Sequence, residues 1–134
     1  MSQFSPSLAT AKVSAFLNVR QGAKAIDFYQ AAFDAKILHR FDAPDGSVVA
    51  QLGIGESDFW LADEALEYQN HSPESLNGTT LRMVLVVDDP DAVFATAIAA
   101  GAKSICPVQD EEYGWRIGRL MDPFGHHWEI GKTI

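Results

Sequence analysis

The sequence predicts an α+β fold built from two similar halves, each with the order strand, helix, strand, strand, strand. Three observations predict it. Short apolar runs separated by turn residues are typical of strands. Two longer segments carry apolar residues at helical spacing. The same order of elements then occurs twice along 134 residues, of which 47% are hydrophobic. We therefore expect one domain, 1–134, made of two modules at about 12–63 and 80–131.

The first half opens with an apolar stretch and continues with an amphipathic pattern. Ala25, Ile26, Tyr29 and Phe33 recur at helical spacing and predict the helix. Turn chemistry at Pro44-Asp45-Gly46 separates two of the strands. The predicted elements are a strand at 13–19, a helix at 23–33 and strands at 37–41, 48–54 and 59–62. The polar stretch 63–78 is expected to be a loop.

The second half repeats this order. Asp89 and Pro90 are typical of a helix start, and Gly101 of a helix end. The predicted elements are a strand at 81–87, a helix at 92–100 and strands at 102–107, 116–121 and 127–130.

Charge and composition exclude several classes of protein. The sequence has 10 Lys and Arg against 18 Asp and Glu, a net charge of −8, with no basic patch of the kind that binds nucleic acid. This balance favours a cationic ligand over an anionic one. No apolar run reaches the roughly 18 residues of a membrane helix. The stretch 1–12 lacks the pattern of a secretory signal, so we expect a cytoplasmic protein. The single cysteine, Cys106, excludes an internal disulfide and is expected to be a buried, inert thiol.

Several motifs carry a resemblance to a known superfamily. From Val13 onward the chain resembles the glyoxalase/bleomycin-resistance/dioxygenase proteins, also called vicinal oxygen chelate proteins. It looks most like their short bacterial demethylubiquinone-methyltransferase-like members. The motifs are Ala25-Ile26-Asp27-Phe28-Tyr29 with Phe33, Leu61-Ala62-Asp63-Glu64, Tyr113-Gly114-Trp115-Arg116, and Asp122-Pro123-Phe124-Gly125-His126-His127-Trp128-Glu129-Ile130.

The resemblance implies paired βαβββ modules that form a curved mixed sheet around a cavity, and a homodimer. Many members hold a divalent metal with four side chains from the first and last strands of each module. Those positions here are Ser14, Trp60, Arg82 and Glu129, of which only Glu129 matches. Ser14 is a poor ligand, Trp60 offers no lone pair and Arg82 is a fixed cation. We therefore expect no metal at this place.

Strand alternation predicts which side chains line the cavity. One hypothesis is that Arg82 and Glu129 pair in the place of the metal, where a guanidinium–carboxylate pair can be bidentate. The alternative is that both charges face solvent, unpaired, on the rim of an open cavity. Trp60, Trp115 and Tyr113 are candidates for stacking on an aromatic or cationic ligand, and the alternative for each is packing in the core or at a dimer interface. The full set predicted to bind ligand is Ser14, Phe16, Gln51, Trp60, Arg82, Trp115 and Glu129.

Three functions remain open, and the sequence does not decide whether the protein is an enzyme. The first is a homodimeric, metal-free protein that binds a small cationic or aromatic organic molecule. The second is a divalent-metal-dependent lyase, isomerase or dioxygenase with displaced ligands such as His127 and Glu129. The third is a metal-free enzyme that uses His127 or Glu129 as a base, with Glu129 orienting the His127 imidazole. His126 is expected to face away and to be satisfied in its turn.

Overall fold

The computed structural model describes residues 5–134 and contains two four-stranded mixed sheets, one for each half of the chain. The predicted α+β fold of two βαβββ modules is confirmed. The first module consists of β1 (Phe16–Val19), α1 (Gly22–Phe33), β2 (Lys36–Asp42), β3 (Val48–Ile54) and β4 (Ser57–Asp63). The second consists of β5 (Arg82–Val86), α3 (Pro90–Ala100), β6 (Lys103–Glu111), β7 (Trp115–Met121) and β8 (His127–Thr133). A 3-10 turn (Leu66–Tyr68) and the short helix α2 (Pro73–Leu76) connect them.

Both sheets have the same topology. The strand orders are β1-β4-β3-β2 and β5-β8-β7-β6. The first pair in each sheet is parallel and the other two pairs are antiparallel. The two halves thus agree in pairing as well as in element order.

The core lies on the helical side of the sheets and contains residues of both modules. The apolar stripe of α1 is buried as predicted, and α1 packs against α3. The rings of Tyr29, Phe59 and Trp128 contact one another, with centroids 5.4 to 5.6 Å apart. Since Tyr29 and Phe59 belong to the first module and Trp128 to the second, these rings join the two halves.

The opposite side of each sheet is uncovered. In β1, Leu17 is buried whereas its neighbour Phe16 is 52% exposed. In β5, Val84 and Val86 are 56% and 60% exposed. We call these two surfaces the open faces. Strand alternation therefore places every other residue of a strand on an open face.

Helix α3 ends at the predicted residue, Ala100, but begins at Pro90, two residues earlier than predicted. The Asp89 carboxylate accepts a hydrogen bond from the backbone N–H of Ala92 at 3.1 Å, and Pro90 occupies the first turn. Gly101 ends the helix with a φ of +124°, which a side chain would disfavour.

Several expectations were wrong in detail. β1 begins at Phe16, where pairing with β4 starts, rather than at residue 13. Residues 63–78 are not a plain loop, because Ser72 caps α2 by accepting from the Ser75 N–H. β6 extends to Glu111 and β8 to Thr133. Cys106 is exposed rather than buried, because it lies in β6, an edge strand in which most residues are exposed.

No helix within residues 5–134 is long and apolar enough to cross a membrane. Residues 1–4, part of the stretch in which we saw no secretory signal, lie outside the described residues.

Candidate functional site

An ion cluster occupies the open face of the second sheet. Glu129 lies in β8 beside Val84 of β5 and Arg119 of β7. Its Oε1 atom accepts hydrogen bonds from Arg82 Nη1 and from Arg119 Nη2, each at 3.2 Å. One carboxylate oxygen therefore bridges two guanidinium groups.

The predicted Arg82–Glu129 contact is present, but its form differs from the expectation. The Arg82 side chain is 55% exposed and that of Glu129 is 21% exposed. Arg82 uses a single nitrogen, so the pair is neither buried nor bidentate. Exposed ion pairs contribute only about 0–1 kcal/mol to stability. A gain in folding stability therefore does not explain why these charges are placed together.

Sequence reasoning missed Arg119. The β7–β8 hairpin pairs Met121 with His127, and counting outward in both directions brings Arg119 opposite Glu129. The Asp122-Pro123-Phe124-Gly125 turn fixes this register, so the signal was present in the sequence. To use this signal, one must know at which residue β7 ends, and apolar patterning does not define strand ends to the residue.

The two adjacent histidines face opposite sides of the sheet, as expected. His126 is buried, and its Nε2 lies 2.9 Å from the backbone carbonyl oxygen of Asn18 in the first module. His127 shares the open face with Glu129. No hydrogen bond joins His127 to Glu129 within residues 5–134, and the buried Nδ1 of His127 has no partner there. Glu129 therefore does not orient this imidazole.

Aromatic side chains cross the open face of the first sheet. Trp60 of β4 stacks on Phe16 of β1 and on His39 of β2, with centroid separations of 6.2 and 6.5 Å. Gln51 of β3 belongs to the same row, because it pairs with both Trp60 and His39. The row Phe16, Trp60, Gln51 and His39 forms a mainly aromatic surface.

The strand register shows which residues of the two modules correspond. Phe16 pairs with Trp60 in the first sheet as Val84 pairs with Glu129 in the second. Ser14 and Arg82 each lie two residues before the first partner of these pairs. Ser14 does not form with Trp60 the contact that Arg82 forms with Glu129. Its hydroxyl instead donates a hydrogen bond to Asp58 at 3.0 Å.

Trp115 lies on the same open face as Arg119 but at the other end of β7, where it pairs with Thr133. Trp115 precedes Arg119 by four residues, which corresponds to about 13 Å along the strand. The structure therefore does not bring Trp115 into the ion cluster.

The side chains at the four expected ligand positions do not fit a divalent metal. Glu129 alone offers a carboxylate, and two guanidinium groups already bind one of its oxygens. A structural or catalytic zinc needs at least three protein ligands. Among residues 5–134 no three His, Cys, Asp or Glu side chains are grouped so that they could hold a metal ion.

The Asp122-Pro123-Phe124-Gly125 motif has a structural role. The buried Asp122 carboxylate accepts hydrogen bonds from the Tyr29 hydroxyl, the Trp128 indole and the backbone N–H groups of Phe124 and His126. Burial, and secondly the Asp122 charge, raise the pKa of the Tyr29 phenol well above 10.0. The hydrogen bond to Tyr29 also links the second module to the helix of the first.

Comparison with known sequences decides the family. The sequence model described as the Glyoxalase/Bleomycin resistance protein/Dioxygenase superfamily matches residues 11–130. The chain belongs to this superfamily. The resemblance seen in the sequence is thereby confirmed.

Members and structural neighbours of the superfamily resemble the chain over most of its length. The uncharacterized protein Mb0911c of Mycobacterium bovis is 40% identical over 126 residues, which cover 91% of this chain and 83% of that protein. The crystal structure of TioX from Micromonospora sp. ML1 matches with a TM-score of 0.70 at 24% identity, over 92% and 97% of the two chains. The putative 3-demethylubiquinone-9 3-methyltransferase, PhnB protein, from Bacillus cereus matches with a TM-score of 0.69 at 21% identity, over 91% and 99%. At these identities the structures show a shared fold.

Proposed function

We propose that this protein binds a small organic molecule on its open faces, without a divalent metal, and that it works as a homodimer. The observation that carries the proposal is the double ion pair of Glu129 with Arg82 and Arg119 at the place where many members of the superfamily hold a metal. A residue set with two cations and one carboxylate is suited to an organic ligand rather than to a metal ion.

The first open face supplies an apolar surface for such a ligand. Phe16, Trp60 and His39 present parallel rings, with interplanar angles of 9° and 4°. A cavity of about 390 Å³ lies at the edge of this surface and is lined in part by Phe16, His71 and Leu81. Mostly apolar cavities of this size with a few polar groups are typical of small-molecule sites.

The exposed apolar side chains support the homodimer. Phe16, Val84 and Val86 are all more than half exposed, and they lie on the two open faces rather than on the helical side. A second copy that covers these faces would bury them and would enclose the ligand site between the copies.

A neutral aromatic fluorophore, 1-aminoanthracene, tests the binding proposal. We expect saturable binding to the wild type, weakened at least about fivefold by Trp60→Ala or Phe16→Ala, because each variant removes a stacking surface. Tyr68→Ala removes an exposed ring on the connecting segment and should leave the affinity unchanged. Non-saturable binding, or equal loss in all three variants, would contradict the proposal.

A further inference from the structure

We propose that Arg82, Arg119 and His127 bind an oxyanion group of the ligand, either a carboxylate or a phosphate. This inference rests on the proposed function and names the chemical class of its ligand. It reverses the charge expected from the whole chain, whose net charge of −8 favours a cationic molecule.

The local charge has the opposite sign to that of the chain. Glu129 contributes one negative charge, whereas Arg82 and Arg119 contribute two positive charges at 3.2 Å from the same carboxylate oxygen. The cluster therefore carries a net charge of +1 when His127 is neutral. At contact distance these neighbouring charges act more strongly on a ligand than the distant acidic residues, which solvent and salt screen.

Both guanidinium groups keep free hydrogen-bond donors. A guanidinium has five N–H donors, and within residues 5–134 each of these two uses one nitrogen for Glu129 and has no other partner. The carboxylate thus holds both arginines in place without saturating them. Paired guanidinium groups with free N–H donors match the geometry of carboxylate and phosphate oxygens.

His127 supplies an independent sign of a missing partner. Its Nδ1 atom is buried and unpartnered within the described residues. Buried polar atoms are nearly always hydrogen-bonded, so a rotation of the imidazole that turns Nδ1 towards the cavity would let an oxyanion or water supply the missing partner. A cavity of about 150 Å³ brings His127 together with Arg82 and Arg119, and Thr79, Thr80 and Leu81 form its remaining wall.

The dimensions indicate how a larger ligand would lie. The 150 Å³ cavity has room for an oxyanion group but not for a drug-sized molecule. Thr79, Thr80 and Leu81 also line the adjoining cavity of about 390 Å³, which Phe16 borders. The ligand would therefore place its oxyanion at the arginines and its apolar body towards Phe16.

Titration with matched small probes tests this inference. Inorganic phosphate, benzoate, benzamide and tetramethylammonium are added to the full chain, and the backbone amide NMR signals of residues 79–82 and 127 are followed. We expect saturable shifts with phosphate or benzoate, and which of the two binds tighter identifies the oxyanion. Benzamide, which lacks the charge, should bind at least about tenfold more weakly than benzoate.

Four variants test the direction in which each charge changes the affinity for the oxyanion. Arg82→Gln and Arg119→Gln should each weaken binding of the oxyanion about tenfold, whereas Arg40→Gln, at an arginine of β2 that pairs with Asp42, should change nothing. Glu129→Gln should tighten binding, because it raises the cluster charge from +1 to +2. Circular dichroism spectra verify that each variant is folded.

Other results would overturn the inference. Saturable shifts with tetramethylammonium alone would show a cation site instead, and weaker oxyanion binding in Glu129→Gln would overturn the charge argument. Equal affinity for benzoate and benzamide, unchanged by the arginine variants, would remove the oxyanion site while the proposed small-molecule function stands. If the wild type binds neither 1-aminoanthracene nor the oxyanions, both the oxyanion site and the proposed function are overturned.

Discussion

Tyr29 and Asp122, 93 residues apart, form a buried hydrogen bond that joins the helix of the first module to the β7–β8 turn of the second. Asp122 also accepts from Trp128 and from two backbone N–H groups. The motif that most clearly marks the superfamily in this sequence thus holds the two modules together.

We predict that Asp122→Ala lowers the free energy of unfolding by about 3 kcal/mol or more, because it leaves the buried Tyr29 hydroxyl and Trp128 indole without an acceptor. Urea denaturation measures the change. Asp88→Ala, at an exposed aspartate, is the matched control and should stay within about 0.5 kcal/mol of the wild type. Equal effects of the two substitutions would contradict this role for Asp122.

The raised pKa of Tyr29 predicts a loss of stability in alkali. A group whose pKa is higher in the folded state stabilises the fold fully below its unfolded pKa, and this contribution is lost as the pH rises above about 10. The difference in unfolding free energy between the wild type and Tyr29→Phe should therefore shrink above that pH. Tyr113→Phe removes an exposed phenol and should show no such change.

The fold could be predicted because periodicity is a local signal. The stripe Ala25, Ile26, Tyr29 and Phe33 predicts α1 without knowledge of its partner. The contact between Tyr29 and Asp122 could not be predicted in this way, because it depends on how the two modules pack. Asp122 belongs to the motif that carries the resemblance to the family, but the motif does not show which atoms the Asp122 carboxylate binds.

The candidate site was predictable only in part, for a similar reason. Arg82 and Glu129 follow from alternation within two strands and from the family's ligand positions. Arg119 depends on the register between strands, and Cys106 depends on irregular pairing in β6, where the register shifts on both sides of it. Apolar patterning contains neither piece of information.

Glu64 fixes the segment that leads into the second module. Its carboxylate accepts from the Ser72 N–H at 2.9 Å and from the Ser75 hydroxyl, and these hydrogen bonds are the main reason that its pKa falls from 4.5 to about 2. A lowered pKa stabilises the fold above the unfolded value, and the contribution is lost as the pH falls through about 2.

We therefore predict that Glu64→Gln lowers the urea midpoint at neutral pH, and that its difference from the wild type shrinks as the pH falls from about 4.5 towards about 2. Glu67→Gln, at an exposed neighbour, is the control and should have little effect at any pH. A Glu64→Gln effect that does not change with pH would contradict the assignment.

The open faces predict a dimer that a single charge can weaken. Val86→Asp places a carboxylate among exposed apolar side chains, and we expect it to raise the dimer dissociation constant at least about tenfold. Sedimentation velocity over a range of concentrations measures this constant. Leu66→Asp, on the connecting 3-10 turn, should leave it unchanged. A wild type that stays monomeric at high concentration would refute the dimer.

Metal content tests whether the Arg82–Glu129–Arg119 cluster takes the place of a metal ion. Untagged protein is purified without chelator, incubated with Zn²⁺, Ni²⁺, Mn²⁺ or Fe²⁺, desalted and analysed by elemental mass spectrometry against protein concentration. We predict a metal content well below one ion per chain for the wild type and for Glu129→Gln alike. Near-stoichiometric metal in the wild type that is lost in Glu129→Gln would contradict it and would favour a metal-dependent lyase, isomerase or dioxygenase.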